Sequence, residues 1–194
     1  MFFLHVKKRW LFIGSLLLTM TVMLTALYLA RDGGPYGRVP KLTRLGQEDV
    51  YFTSQLRPKQ IAGLPRYHIK TVVDIRPDGE APHQPSSSEM VEVAFAYDII
   101  FRYIPVPHES IPPEAVEALD KALTPKAMPA CLYCRTGRRA VRLYALVQAS
   151  RANGPDAAAI LEMVRDAGFS ADDLKEEIAQ RIARRNTHAD AALP

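Results

Sequence analysis

The stretch Ala130-Cys131-Leu132-Tyr133-Cys134-Arg135-Thr136-Gly137-Arg138-Arg139 decides how the rest of the chain is read. Ala130 to Tyr133 is a short apolar run that reads as a buried strand. A polar loop containing Gly137 follows, and then, from Arg139 to Ala152, a segment with the composition of a helix packed on one face. Strand, short loop and helix start together make an anion site. The first N–H groups of the helix lack partners within it, and the helix dipole favours negative charge there. Cys134 at that point is expected to be held as the thiolate, the nucleophilic form of cysteine. Gly137 permits a positive φ, so that successive N–H groups of the loop, from Arg135 and Thr136 to Arg138, can converge on one point. Arg139 can clamp an oxyanion through two parallel hydrogen bonds, and Arg135 and Arg138 add positive potential. The competing reading, Cys134 as a small buried hydrophobe at a strand end, leaves the glycine and the three arginines beside it unexplained.

Working upstream, Val50 to Thr53 and Thr71 to Ile75 are β-prone runs, and Phe101 to Pro105 alternates like a strand. Between them lie a short helix over Arg57–Ala62, with Pro58 near its start and Pro65 expected to end it, and a turn at Pro77-Asp78-Gly79. A helix runs to about Tyr97 behind the N-cap candidates Ser86, Ser87 and Ser88. Pro112-Pro113-Glu114 opens another helix, through about Leu123. Downstream, 156–167 and 171–185 read as helices, and 186–194 as a frayed tail. Strands alternating with helices predict an α/β domain with a mostly parallel central sheet flanked by helices, over 47–185.

The chain has 194 residues, of which 48% are hydrophobic and 24% charged, enough apolar material for a packed core. The net charge of +4 is modest, and no Lys/Arg run is long enough for a nucleic-acid stripe, so no nucleic-acid partner is expected. The two cysteines are Cys131 and Cys134. Their spacing could serve zinc, but the histidines His5, His68, His83, His108 and His188 are scattered and supply no second ligand pair, so neither metal nor cofactor is expected. Positions three apart in a strand face opposite ways. Cys131 is therefore expected to fill core rather than pair with Cys134, with a resolving thiol as the other option.

Trp10 to Ala30 carries no charged side chain. As a helix it would be ~31 Å long, close to the hydrocarbon thickness of a bilayer. Trp10 and Tyr28 lie near its ends, where amphipathic rings suit the interface. A cleaved signal peptide would have a shorter apolar core and small residues at the cut; Tyr28 and Leu24 occupy those places for cuts after Ala30 and Ala26. The expectation is one N-terminal transmembrane helix (10–30) behind a basic flank (1–9), with a Gly/Pro-containing linker (31–46) after it and the lipid bilayer as a partner. Lys7, Lys8 and Arg9 before the span predict a cytoplasmic N-terminus and a periplasmic or otherwise extracytoplasmic catalytic domain.

Five stretches resemble the phosphatase-like domain of the bacterial beta-lactamase-hydrolase-like proteins. They are Tyr51 to Pro58, Ile69 to Glu80, Gln84 to Glu89, Ile104 to Pro107 and Tyr133 to Arg139. Together they span roughly Gln47 to Gly168. That domain is similar in fold to dual-specificity protein phosphatases and is also found joined to sulfur-metabolism enzymes. The resemblance implies a Cys nucleophile at Cys134 and an anion-clamping Arg139. The chain also departs from the tyrosine-phosphatase pattern, in which five residues separate Cys and Arg, a His precedes the Cys, and Ser or Thr follows the Arg. Here four residues intervene, Tyr133 precedes and Ala140 follows. The loop is similar in length to that of rhodaneses, which carry sulfane sulfur as a persulfide.

A phosphatase needs a general acid for the leaving oxygen. Where such phosphatases place an Asp, this chain has Pro107-His108-Glu109-Ser110. Glu109 and His108 are the candidates, with Asp78 as a further one. Asp74 and Arg76, at the end of a central strand, are expected to brace the loop by an ion pair. Three functions remain open. The first is a hydrolase of phosphate monoesters, of protein tyrosine or dual-specificity type, acting through a phosphocysteine. The second is a sulfurtransferase taking sulfur from a sulfane-sulfur donor, and the third a membrane-tethered module that binds a small oxyanion without catalysis.

Overall fold

Four strands run parallel: β2 (Val50–Thr53), β5 (Ala130–Tyr133), β3 (Thr71–Asp74) and β4 (Ile100–Tyr103), side by side in that order. A two-residue strand, β1 (Thr43–Arg44), pairs antiparallel on the outer side of β2. This is a computed structural model; it describes residues 2–32 and 37–191, and the side chains of 13–29 and 37–187. The central strands β3 and β5 are buried at every position, as strands covered on both faces must be. Their registers align Thr53, Tyr133 and Asp74, so three strands end together at one edge of the sheet. In open α/β sheets that carboxyl-terminal edge is where ligands bind.

The pleat divides the core in two. Val73, Leu132 and Cys134 face one cluster, with Leu143 and Leu146 of α5 (Arg138–Ser150), Leu119 of α4 (Pro113–Ala122), Ile160 of α6 (Ala157–Asp166) and Ile178 of α7 (Lys175–Ala191). Val72, Cys131 and Tyr133 face the other, with Ile61 of α2 (Pro58–Ile61) and Met90 and Ala94 of α3 (Ser87–Ala96). Cys131 and Cys134 therefore point to opposite faces, and both thiols are free. Burial pushes the Cys131 thiol up to about 12, which suits core filling.

The local signals act as their chemistry requires. The Ser86 hydroxyl caps α3 by accepting from the Glu89 amide, and Asp156 caps α6 by accepting from the Ala159 amide. Pro65 does not simply end a helix. It sits in the first turn of a 3₁₀ turn, Leu64–Tyr67, a place where a missing N–H costs nothing. The segment expected to be a linker up to residue 46 already belongs to the domain. Thr43–Arg44 pairs with β2, Leu45 is buried in the larger core, and Val39 and Leu42 pack on the smaller one. The tail expected to fray after Arg185 continues as helix to Ala191; 192–194 lie outside the described residues.

The chain divides into two compact units, Met1–Arg38 and Val39–Pro194. The first contains one helix, α1 (Phe2–Asp32). The expected transmembrane segment, Trp10 to Ala30, falls within α1, but the side chains at both of its ends lie outside the described residues. Those from Ile13 to Leu29 are exposed on every side of the helix. Among the described residues no helix is long and apolar enough to cross a membrane.

Candidate active site

β5 delivers Cys134 to the carboxyl-terminal edge of the sheet, and the chain turns at once into α5. Gly137 makes the turn with φ +96° and stands as the N-cap of the helix. A Cβ at Gly137 would lie 2.6 Å from Cδ2 of Phe52, so the absence of a side chain is required by space as well as by dihedral. The Gly137 N–H donates to Cys134 Sγ at 3.2 Å. That is the amide-to-sulfur contact expected of a loop that favours negative charge at its centre. Cys134 is only 1% exposed, so its sulfur meets solvent only through the pocket above it.

That pocket encloses about 360 Å³. It is lined by Cys134, Arg135, Thr136, Arg138 and Arg139 from the loop and first turn, by His108 and Glu109 from the segment after β4, and by Arg142 and Asp173. The structure thus brings both expected general acids to the same pocket as the cysteine. Asp78 does not line it. Its carboxylate accepts from the Ser87 amide at 2.8 Å and the Ser87 hydroxyl at 2.6 Å, fastening the turn after β3 to the start of α3.

Arg139 reaches the site despite the short loop. It is buried, and its guanidinium lies beside Cys134. Two groups aim it. Nη1 and Nη2 donate to the two carboxylate oxygens of Glu80 at 2.5 and 2.8 Å, and Nη1 also donates to the Val106 carbonyl at 2.7 Å. Glu80 bridges to a second arginine, accepting from Arg76 Nε at 2.9 Å, while Arg76 Nη1 donates to Gln55 Oε1 at 2.8 Å. Gln55 in turn donates its backbone N–H to the Arg135 carbonyl, which ties the network back to the Cys134 loop. The Arg139 guanidinium, aided by Arg76 and opposed by burial, holds the Glu80 carboxyl down at about 2.

The expected ion pair between Asp74 and Arg76 does not form. Asp74 Oδ1 instead accepts from the backbone N–H of Arg76 at 2.9 Å, and the Arg76 guanidinium goes to Glu80. Asp74 is 1% exposed. Burial, the largest effect, pushes its carboxyl up to about 6, against the neighbouring Tyr133 hydroxyl and the Arg76 amide, which pull it down. Asp74 Oδ2 and the Tyr133 hydroxyl each lack a well-formed hydrogen bond.

Sequence reasoning alone does not single out Glu80, Gln55, Arg142 or Asp173 as site residues. Glu80 ends the Arg76-Pro77-Asp78-Gly79-Glu80 run that closes β3, and its place after a turn at the binding edge of the sheet was the available signal. Asp173 accepts two hydrogen bonds from Arg142, at 2.6 and 2.5 Å, and that guanidinium holds its carboxyl down at about 2. Among the described residues no group of three His, Cys, Asp or Glu side chains is placed to hold a metal ion.

Comparison with known proteins agrees with this geometry. A beta-lactamase hydrolase-like protein of Xylella fastidiosa (strain Temecula1) is 26% identical over 99 residues, covering 51% of this chain and 23% of the relative. The chain therefore matches less than a quarter of that relative's length. Among solved structures, a protein of Neisseria meningitidis Z2491 solved as a candidate phosphatase superposes with a TM-score of 0.60 at 24% identity, covering 71% of this chain and 96% of that one. The catalytic core of the PP-IP phosphatase SIW14 of Saccharomyces cerevisiae superposes with a TM-score of 0.57 at 18% identity, covering 81% and 97%. The fold is thus the phosphatase-like α/β fold, a central sheet with flanking helices. Residues 43–151, more than half of the chain, match the family described as "Beta-lactamase hydrolase-like protein, phosphatase-like domain", and the chain belongs to that family.

Proposed function

We propose that this protein hydrolyses phosphate monoesters through a phosphocysteine on Cys134. One observation carries the reading. A buried cysteine sulfur receives a backbone N–H at the start of a helix, beside an arginine that a carboxylate holds at both terminal nitrogens. In the first step Cys134 Sγ attacks phosphorus and the bond to the leaving oxygen breaks, while a proton passes to that oxygen. Arg139 and the loop amides take up the charge on the non-bridging oxygens. In the second step water attacks phosphorus, the S–P bond breaks, and phosphate and the thiolate are released.

The proton donor must lie in the pocket with its side chain free to reach the leaving oxygen. Asp173 is engaged by Arg142 and Glu80 by Arg139 and Arg76, and Asp78 is spent on Ser87. His108 and Glu109 remain, on the segment whose root at Val106 is held by Arg139.

We propose further that the run from Trp10 to Ala30 tethers the domain to a membrane, with the catalytic domain on the extracytoplasmic side. The support is the uncharged run from Trp10 to Ala30 and the basic cluster at Lys7, Lys8 and Arg9 before it.

The test uses the full chain in detergent micelles. Release of p-nitrophenol from p-nitrophenyl phosphate is assayed beside thiosulfate:cyanide sulfur transfer, each with Cys134→Ser. Phosphatase activity abolished by the substitution is expected. Activity that survives it sinks the reading, and thiocyanate formation that depends on Cys134 replaces it with sulfur transfer. Reporter fusions after residue 194 read which side of the membrane the domain occupies.

A further inference from the structure

The walls of the pocket have an unexpected chemistry for a site that would take a phosphorylated tyrosine. Pockets that hold organic ligands are lined mostly by apolar and aromatic side chains, with a few polar groups to orient the ligand. Among the described residues no aliphatic, Phe, Tyr or Trp side chain lines the cavity of about 360 Å³. Apart from Cys134 and Thr136, every lining side chain is an arginine, a histidine or a carboxylate. An aryl leaving group would find only guanidinium and imidazole planes to stack on, and a sugar or polyol carrying charge would find hydrogen-bonding partners on every side.

The arginines fall into two groups. Arg139 is matched by Glu80 and Arg142 by Asp173. Arg135 and Arg138 are exposed at the pocket, and among the described residues neither forms an ion pair with a carboxylate. They flank the Cys134 loop, Arg135 directly after the cysteine and Arg138 at the first position of α5. Two solvated arginines on a surface mean little. Two beside a reactive cysteine, in a pocket lined mainly by charged side chains, supply more cationic donors than the transferred phosphoryl group needs once Arg139 and the loop amides hold it.

We infer that the substrate is a small polar phosphoester bearing a second anionic group, which Arg135 and Arg138 receive while Arg139 and the loop amides hold the phosphoryl group to be transferred. The inference rests on the hydrolase reading for its turnover arm, and a binding arm tests it without turnover.

In the turnover arm the full-length protein is assayed at ~0.15 M salt, where distant charges are screened. Its substrates are fructose 1,6-bisphosphate, fructose 6-phosphate and phosphotyrosine. The expected result is a kcat/KM on the order of tenfold higher for the bisphosphate than for either monophosphate. The double substitution Arg135→Gln/Arg138→Gln is expected to reduce that ratio to within about twofold, and Lys121→Gln, a charge loss on α4 outside the pocket, to leave the ratio intact. A purely structural role for the two arginines would lower kcat/KM for all three substrates alike and overturns the inference. Equal kcat/KM values in the unmodified protein, a preference for phosphotyrosine, or a ratio moved as far by Lys121→Gln also overturn it.

If no substrate turns over, the hydrolase reading fails and calorimetric titration of the Cys134→Ser chain decides. Tighter binding of the bisphosphate than of fructose 6-phosphate, lost when Arg135 and Arg138 are replaced, sustains the inference. Equal affinity overturns it.

Discussion

Glu80 holds Arg139 at both terminal nitrogens, across a separation of 59 residues in sequence. Both side chains are largely shielded from solvent. The pair decides where the guanidinium points, since α5 alone fixes only where the side chain is rooted.

Glu80→Gln is expected to lower kcat/KM for a phosphate monoester by roughly 10–100-fold, because a displacement of about 1 Å in a clamping group has effects of that size. It should also weaken competitive inhibition by inorganic phosphate, and Glu80→Asp should recover part of both losses. Stability should fall by about 1–3 kcal/mol, since two guanidinium groups lose their charged acceptor. The Glu80 carboxyl is held at about 2 against an ordinary 4.5. Its contribution is therefore present above pH 4.5 and lost as the pH falls toward 2. Urea denaturation should show the gap between the unmodified protein and Glu80→Gln constant at neutral pH and closing in that acid range.

Asp74 has the opposite sign. Its carboxyl is raised to about 6 from an ordinary 3.8, so the folded state holds that proton more tightly than the unfolded chain. The stability this gives is full below pH 3.8 and lost as the pH rises through 6. Asp74→Asn, which keeps an acceptor for the Arg76 amide, is expected to be more stable than the unmodified protein at pH 8, by on the order of 1–3 kcal/mol. The advantage should shrink between pH 6 and 4. Denaturation midpoints at pH 8 and pH 5 check this, and an advantage independent of pH would remove Asp74 as its source.

Gly137→Ala combines a positive φ with a Cβ pressed against the Phe52 ring, which is itself packed edge-on against Phe169 with centroids 5.8 Å apart. A loss of roughly 1–3 kcal/mol is expected, together with loss of the loop's catalytic geometry. Gly168→Ala is the comparison. It has a φ of +83° but nothing within 4 Å of the added Cβ, so it should lose only the backbone component. Similar losses at the two positions would show that Phe52 yields without cost.

Glu109→Gln and His108→Gln separate the two candidate proton donors. Replacing the donor should lower kcat by about 10²–10⁴-fold for an alkyl phosphate, remove one limb of the pH–rate profile, and cost less with a good leaving group such as p-nitrophenolate. Replacing the other residue should leave the shape of the profile unchanged. Full activity in both variants would place the donor elsewhere.

The elements that declared themselves in the sequence are those whose signal is local. β3 opens on three β-branched residues in a row, Thr71, Val72 and Val73, α3 and α6 carry their own caps, and the Cys134 loop has its glycine and arginine in order. What stayed hidden depends on partners far along the chain. Nothing in Thr43-Arg44 marks a strand, and it becomes one because β2 offers a free edge. Arg76 was expected to pair with the nearer Asp74, but the turn at Asp78 and Gly79 brings Glu80 back over it. Glu80 itself has the look of an ordinary polar loop residue until Arg139 of α5 reaches it.

The short Cys134 loop also sets a rotational phase. One residue along an α-helix turns a side chain by about 100° and advances it about 1.5 Å. Tyrosine phosphatases would root their clamp at the position that is Ala140 here, and Ala140 is fully buried in the larger core cluster. An arginine transplanted to 140 to imitate the longer signature would place its charge in that packed core, without the Glu80 carboxylate and Val106 carbonyl that receive Arg139. In this protein the angular setting of α5, more than the reach of the loop, dictates which residue can grip the anion.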